Sequence, residues 1–208
     1  MTPDHAVRVV ALPGSLREGS HTRMALRIAL EGAREAGATT EFLDLRGLPI
    51  PFVDGEQEPE DYPEAVQALL RAVQQADGIL LGTPEYHGSY SGVLKNALDL
   101  MGFDEFEGKM IGLVSVGGGA LGGAHALAHL RGVGRALHAW VVPIEASIPR
   151  AHTAFNEDGT CKDPRLEARL KAVGRQVAEF SYLHRSSEWR AFLEKWQEAP
   201  ENPGAIQR

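Results

Sequence analysis

The stretch GSLREGSHTR (14–23) sets Ser15, Arg17, Ser20 and Thr22 in one turn-forming segment, between the apolar run AVRVVALP (6–13) and a helical pattern. Short hydroxyl side chains, a forked guanidinium and unpaired N–H groups at a helix start suit the grip of a phosphate monoester. Gly14 is read as permitting a tight turn ahead of them. An ordinary capped helix start with a solvent-facing Arg accounts for the same residues. No Gly-Lys-Ser/Thr closes the loop and no cysteine precedes Arg17, so neither a Walker-type nor a phosphatase-type loop is present.

A second loop, TPEYHGSYSG (83–92), is stiff at Pro84 and permissive at Gly88 and Gly92, with Glu85, Tyr86, His87, Ser89 and Tyr90 between. Aromatic and prolyl faces beside main-chain amides would suit a planar heterocycle. Its GSYSG pentapeptide has Tyr90 where a hydrolase elbow needs its nucleophile. A third stretch, SVGGGALGGAHALAHLR (115–131), satisfies G-x-G-x-x-G at Gly117, Gly119 and Gly122, with Glu145 placed where a ribose-binding acid could stand. That pattern supports a dinucleotide-binding dehydrogenase as the rival reading, although the fingerprint belongs to a first βαβ unit and this one falls in the fourth. Close backbone approach of Gly117, Gly118 and Gly119 to the ring held by the second loop is the other use. His125 and His129, four apart, lack the companion Glu of a helical zinc motif. Lys95 and Asp99, also four apart, read as a solvated helix pair or as a pair between subunits.

Five apolar runs must position these loops: 6–13, 39–45, 77–83, 109–116 and 138–144. Runs this continuous predict strands covered on both faces. Between them apolar residues recur at helical spacing. Met24, Ile28 and Leu30 mark the first helix, and 61–76 the second, with Asp61 as a candidate N-cap and Pro63 in its first turn. The third runs from Val93 to Met101, and the fourth over 121–134, ending near Gly132 or Gly134. The last starts at Asp163 and Pro164 and carries Leu166, Leu170, Val173, Val177 and Phe180. This alternation predicts an α/β, doubly wound, five-stranded parallel sheet. In the common order 2-1-3-4-5, the loops after strands 1 and 3 open onto one crevice at the carboxyl edge. The two most unusual loops of this chain follow those two strands. A single domain is expected over 1–208, with its core at 6–183 and a C-terminal amphipathic helix and tail at 186–208.

The 208 residues, 43% hydrophobic and 24% charged, suit one soluble globular domain. A net charge of −7 without a basic stripe excludes nucleic acid as a partner. No apolar run approaches the ~20 residues of a membrane span. The first residues carry no secretory leader pattern, and the single Cys161 rules out an intrachain disulfide, so a cytoplasmic location is expected.

The loops together resemble the NADPH-dependent FMN reductase family, which has a flavodoxin-like fold. GSLREGSHTRMAL is similar to its G-S-x-R-x-x-S-x-N loop, and PEYHGSYSGVLKNALD to its P-E-Y-N-G-S-x-x-G-x-L-K-N-A-x-D signature. VSVGGGALGG followed by LR matches its third, glycine-rich loop, and the likeness runs over about 6–183. The resemblance implies that Ser15, Arg17 and Ser20 hold the FMN phosphate, with Thr22 donating where Asn is usual. Pro84, Glu85, Tyr86 and Gly88 would frame the isoalloxazine, with His87 where Asn is usual. Ser115, Gly117 and Gly118, with Gly119 beside them, would border the same ring. It further implies an FMN oxidoreductase with NADPH or NADH as co-substrate and ping-pong turnover. Small-molecule acceptors such as quinones, azo dyes, metal ions or free flavin are implied too, as is a homodimer or homotetramer. A flavin-free dehydrogenase and a flavodoxin-like electron carrier are the alternatives.

Overall fold

The first apolar run forms strand β1, Arg8–Pro13, in a computed structural model that describes residues 6–54 and 61–185. Its side chains divide between two cores. Val9 and Ala11 pack on one side, Val10 and Leu12 on the other, and all four are fully buried. That division is why the run shows no polar alternation. The chain continues through α1 (His21–Glu35), β2 (Thr39–Phe42), α2 (Glu64–Gln74) and β3 (Gly78–Tyr86). Then come the two-residue β4 (Ser89–Tyr90), α3 (Gly92–Asp99), α4 (Phe103–Phe106) and β5 (Met110–Val116). It closes with α5 (Ala124–Ala136), β6 (Trp140–Ile148) and α6 (Pro164–His184).

The five long strands are parallel and lie in the order β2-β1-β3-β5-β6, which is the expected 2-1-3-4-5. The sixth strand, β4, was not expected: the second loop is a hairpin that folds antiparallel onto the end of β3. Helices α1 and α6 cover one face, α2, α3 and α5 the other. Among the described residues no helix is long and apolar enough to cross a membrane. The amphipathic segment expected at 186–208 lies outside the described residues.

Several boundaries shift for identifiable reasons. Strand β3 runs on to Tyr86 through Pro84, because the β1 ladder stops at Gly82 and a proline is tolerated where a strand has lost one neighbour. Strand β6 runs on to Ile148 across a bulge that holds Pro143. Helix α5 begins three residues later than expected and passes through Gly132 and Gly134 to Ala136. Gly134 is there for packing, since a Cβ on it would come 2.6 Å from Val141 Cγ2. Gly14 is likewise a close-approach residue rather than a turn former: a Cβ would meet Leu94 Cβ at 2.7 Å and Ser91 Oγ at 2.8 Å.

The hairpin explains the identity of the turn residues. His87 and Gly88 have φ of 52° and 76°, the left-handed pair of a type I′ connection between Tyr86 and Ser89. Asn, whose short side chain bonds locally, adopts this conformation more readily than His does. His87→Asn should therefore raise stability by about 0.5–1 kcal/mol. A higher denaturant midpoint at unchanged slope is the expected reading, and an unchanged or lower midpoint would contradict it.

Candidate functional site

Backbone and hydroxyl bonds pin the first two loops together. Gly14 N donates to Gly82 O at 2.7 Å, joining the exits of β1 and β3. Ser91 Oγ, fully within the core, donates to Gly14 O at 2.6 Å and accepts from Leu94 N at 3.2 Å as the N-cap of α3. Thr83 Oγ1 in turn accepts from Ser91 N at 2.9 Å. One serine thus caps a helix and fastens two loops that are far apart in the chain.

The third loop is tied to β6 and to the second loop. Gly117 N donates to Ile148 O at 2.9 Å, and Ala151 N to Gly117 O at 3.0 Å. Ser115, buried in β5, turns its hydroxyl to the carbonyls of Gly122 and Gly123 at 3.1 and 2.9 Å. Glu85 reaches across from β3 and accepts from Ala126 N at 3.0 Å, so its carboxylate sits on the first turn of α5. The two histidines of α5 part company rather than sharing a ligand. His125 Nδ1 lies 3.7 Å from Glu85 Oε1, and His129 Nδ1 lies 2.9 Å from Ser89 Oγ, each bracing the hairpin. Lys95 and Asp99 form an ion pair along α3.

These ties leave a cavity of about 210 Å³ at the carboxyl edge of the sheet. Ser15, Arg17, Ser20 and Thr22 line it from the first loop, Pro84, Glu85 and Tyr86 from the second, and Gly117 and Gly118 from the third. His87, Gly88, Ser115 and Gly119 are not on its wall: the first two form the exposed hairpin turn, Ser115 is internal, and Gly119 is exposed beyond the rim. Four wall residues escaped the sequence reading: His21, Val116, Ala151 and His152. His21 lay in plain view inside the first motif, at a position the motif leaves open. His152 follows β6, where no motif points. A larger hollow of about 310 Å³ beside α1 is walled by Glu31, Glu157, Asp158 and Glu167, which makes it a poor seat for an anion. Cys161 also borders that hollow, where burial pushes its thiol above the usual range and leaves it a weak nucleophile.

The first-loop side of the cavity has the chemistry to take an anion. Ser20 caps α1 and accepts weakly from Arg23 N at 3.4 Å, and the first two residues of the helix, His21 and Thr22, line the hollow, where helix-start amides lack intrahelical partners. Arg17 stands exposed at the rim. Thr22 is 1% exposed, and its Oγ1 has no hydrogen-bond partner, the one such buried side-chain atom among the described residues. A buried hydroxyl left unpaired costs about 1–3 kcal/mol, which an acceptor oxygen in the cavity would relieve. The fit to a phosphate-bearing cofactor rests on this atom. Thr22→Val removes the orphan: we expect apoprotein stability unchanged or higher by about 1 kcal/mol and FMN affinity lower by about tenfold. Thermal melts of apoprotein beside flavin-fluorescence titrations check both signs, and a variant that melts lower and binds FMN as before would contradict this role.

The glycine-rich loop, by contrast, offers no seat for a pyrophosphate. Glu85 already occupies the N-terminus of α5, and a second anion would be repelled there. Glu145 is engaged with Arg131, whose Nε and Nη2 lie 2.8 and 2.6 Å from its Oε2. Gly122 packs so tightly on β6 that a Cβ would come 2.6 Å from Pro149 N. The rival dehydrogenase reading fails on these contacts.

Known proteins agree with this architecture. The model of the NADPH-dependent FMN reductase family matches residues 7–153. An FMN-dependent NADPH-azoreductase of Staphylococcus aureus is 34% identical over 172 residues, covering 80% of this chain and 91% of the relative. Among solved structures, FerB of Paracoccus denitrificans, a flavoenzyme NAD(P)H:(acceptor) oxidoreductase, superposes with a TM-score of 0.70 at 26% identity. The match covers 86% of this chain and 98% of that one. A flavodoxin from the domain Archaea, at a TM-score of 0.58 and 13% identity over 86% of this chain and 99% of that one, shares the fold. The protein is an oxidoreductase whose cofactor is FMN and whose co-substrate is NADPH: the chain belongs to the NADPH-dependent FMN reductase family.

Proposed function

We propose that this protein holds FMN with the phosphate in the 210 Å³ cavity and uses NAD(P)H to reduce small-molecule acceptors such as azo compounds, quinones, oxidised metal ions or free flavin. The observation that carries the reading is the unpartnered Thr22 hydroxyl at the start of α1, on the wall that also presents Ser15, Ser20 and Arg17. FMN supplies the redox chemistry when bound, taking electrons from the nicotinamide and giving them to the acceptor. The chain's own residues bind and orient. Ser15, Ser20, Thr22 and the first-turn amides of α1 hold the phosphate, and Arg17 neutralises its charge. Pro84, Tyr86, Gly117 and Gly118 border the ring, with Glu85 holding the second and third loops in register. His87, Gly88, Ser115 and Gly119 act one step removed, by shaping the hairpin and the glycine loop.

The cavity is smaller than the roughly 300–1,000 Å³ that encloses a drug-sized ligand. Tyr86 at the rim is 56% exposed. Both support a ring that lies partly open, so that nicotinamide and acceptor use the same face in turn, which is ping-pong kinetics. A second copy of the chain would complete the nicotinamide site beside that face in a homodimer or homotetramer, and the cytoplasm would supply the reduced nicotinamide. Anaerobic NADPH should bleach the FMN-loaded protein, and steady-state rates over an acceptor panel should give parallel double-reciprocal lines. Failure to bleach would leave an electron carrier as the function, and intersecting lines would remove the shared face.

A further inference from the structure

Two histidines that no family motif specifies stand on the cavity wall: His21, the first residue of α1, and His152, in the 3-10 turn Ala151–Thr153 that follows β6. They approach the hollow from different elements, together with Arg17. Resting on the reading that the cavity takes the FMN phosphate, we propose that His21, with His152 beside it on the wall, makes that seat proton-accepting, so that FMN binds with proton uptake and is held more tightly as the pH falls toward about 6.5.

The geometry argues for this in three steps. First, His21 is held in place: its half-buried ring stacks on Phe155 with centroids 5.7 Å apart and planes 12° off parallel. Neither imidazole has a hydrogen-bond partner among the described residues, so both keep their donors for a ligand. Second, the surrounding charges are positive or already committed. Arg17 and His152 act on His21 directly. Glu85, on the same wall, is taken by the α5 amide and lies beside His125. Glu18 extends into solvent toward Arg46, its side chain 90% exposed, and Arg23 is paired with Asp44. Third, positive charges gathered on one wall repel one another, and an anion in the hollow reverses that balance.

In the free protein, burial above all, then the charges of Arg17 and His152, holds His21 below the ordinary histidine range. His21 therefore stays neutral through neutral pH, and as pH falls below about 6.5 the unfolded chain takes the proton first, which removes stability. A phosphate dianion beside it does the opposite and draws the proton on. Affinity then climbs as pH falls between the histidine's bound and free pKa. It turns down below about pH 6, where the phosphate itself becomes a monoanion in solution.

Calorimetric titration of FMN into apoprotein near pH 7, in two buffers of different ionisation enthalpy, counts the protons directly and needs no variant. Net uptake is expected, with affinity rising about three- to tenfold from pH 8.5 to 6.5. Riboflavin, which lacks the phosphate, should take up none. In His21→Gln/His152→Gln the uptake should vanish and the pH profile flatten. Should that double variant fold poorly, His152→Gln alone, at an exposed position, should lose part of the uptake. FMN binding without proton uptake, or uptake unchanged in the variants, would overturn the role of the histidines while leaving the FMN seat in place. FMN bound no better than riboflavin would overturn the seat and the histidines together.

Discussion

Gly174→Ala will destabilise the protein by about 3 kcal/mol or more, lowering its melting temperature by roughly 6–12 °C. Helices α1 and α6 lie against each other at glycine positions on both sides. A Cβ on Gly174 would sit 1.7 Å from Ala29 O, and one on Gly32 would sit 2.0 Å from Lys171 O. Both obstacles are backbone carbonyls, which no rotamer change can clear, so the helices must separate. Separation opens the core around Ala29, Ala33 and Val173, all fully buried. It also loosens the ion pairs of Glu35 with Lys171 and Arg175 along the seam, which themselves contribute little because they are exposed. Gly132→Ala makes the contrast. Nothing lies within 4 Å of a Cβ there, and the site is an exposed turn of α5. That variant should gain about 0.5–1 kcal/mol from helix propensity. Melting curves of the two variants must move in opposite directions; a shared sign would show that the seam is not as close as described.

Arg17→Ala will weaken FMN binding by about ten- to a hundredfold while leaving the fold intact. The guanidinium is exposed at the rim and has no ion-pair partner among the described residues, so the apoprotein loses no contact with its removal. A charged hydrogen bond to phosphate contributes about 1.5–3 kcal/mol, which sets the expected range. Arg17→Lys should recover part of the loss, because the charge returns without the fork. High salt should narrow the gap between wild type and Arg17→Ala, since an exposed charge is screened over about 8–10 Å. Riboflavin affinity should be unmoved. Equal FMN affinity in Arg17→Ala would take this residue out of the seat and leave the hydroxyls and α1 amides to hold the phosphate.

The parts of the fold that were legible in the sequence are those set by local pattern. β1, β3 and β5 bury both faces, so their apolar runs stand out unbroken, and Ser20 and Asp163 announce α1 and α6 as helix caps. The parts that were not legible depend on what the chain meets in space. Pro84 and Pro143 look like strand stops until the lost β1 neighbour and the β6 bulge are known. Gly14 and Gly134 look like turn or helix-stop glycines, yet packing against Leu94 and Val141 is what excludes a side chain. Much the same holds for the site. The hydroxyls and Arg17 share one segment and could be read together, whereas His152 joins them only because β6 ends beside β5. Glu85 was expected to frame the ring; it lines the cavity, and its carboxylate also caps α5, a role that needs the third loop to be in place. His87 was noted as standing where Asn is usual, and its left-handed backbone, which the hairpin uses, could not be read from its residue type.

If the loops after β1 and β3 meet around a phosphate, the protein must tell FMN from riboflavin. The two ligands share the ring and the ribityl chain and differ only in the group that the cavity is built to take. Fluorescence titration of apoprotein should show FMN bound about a hundredfold or more tightly than riboflavin, the sum of two or more charged contacts. Equal affinities, or no binding of either flavin, would contradict it.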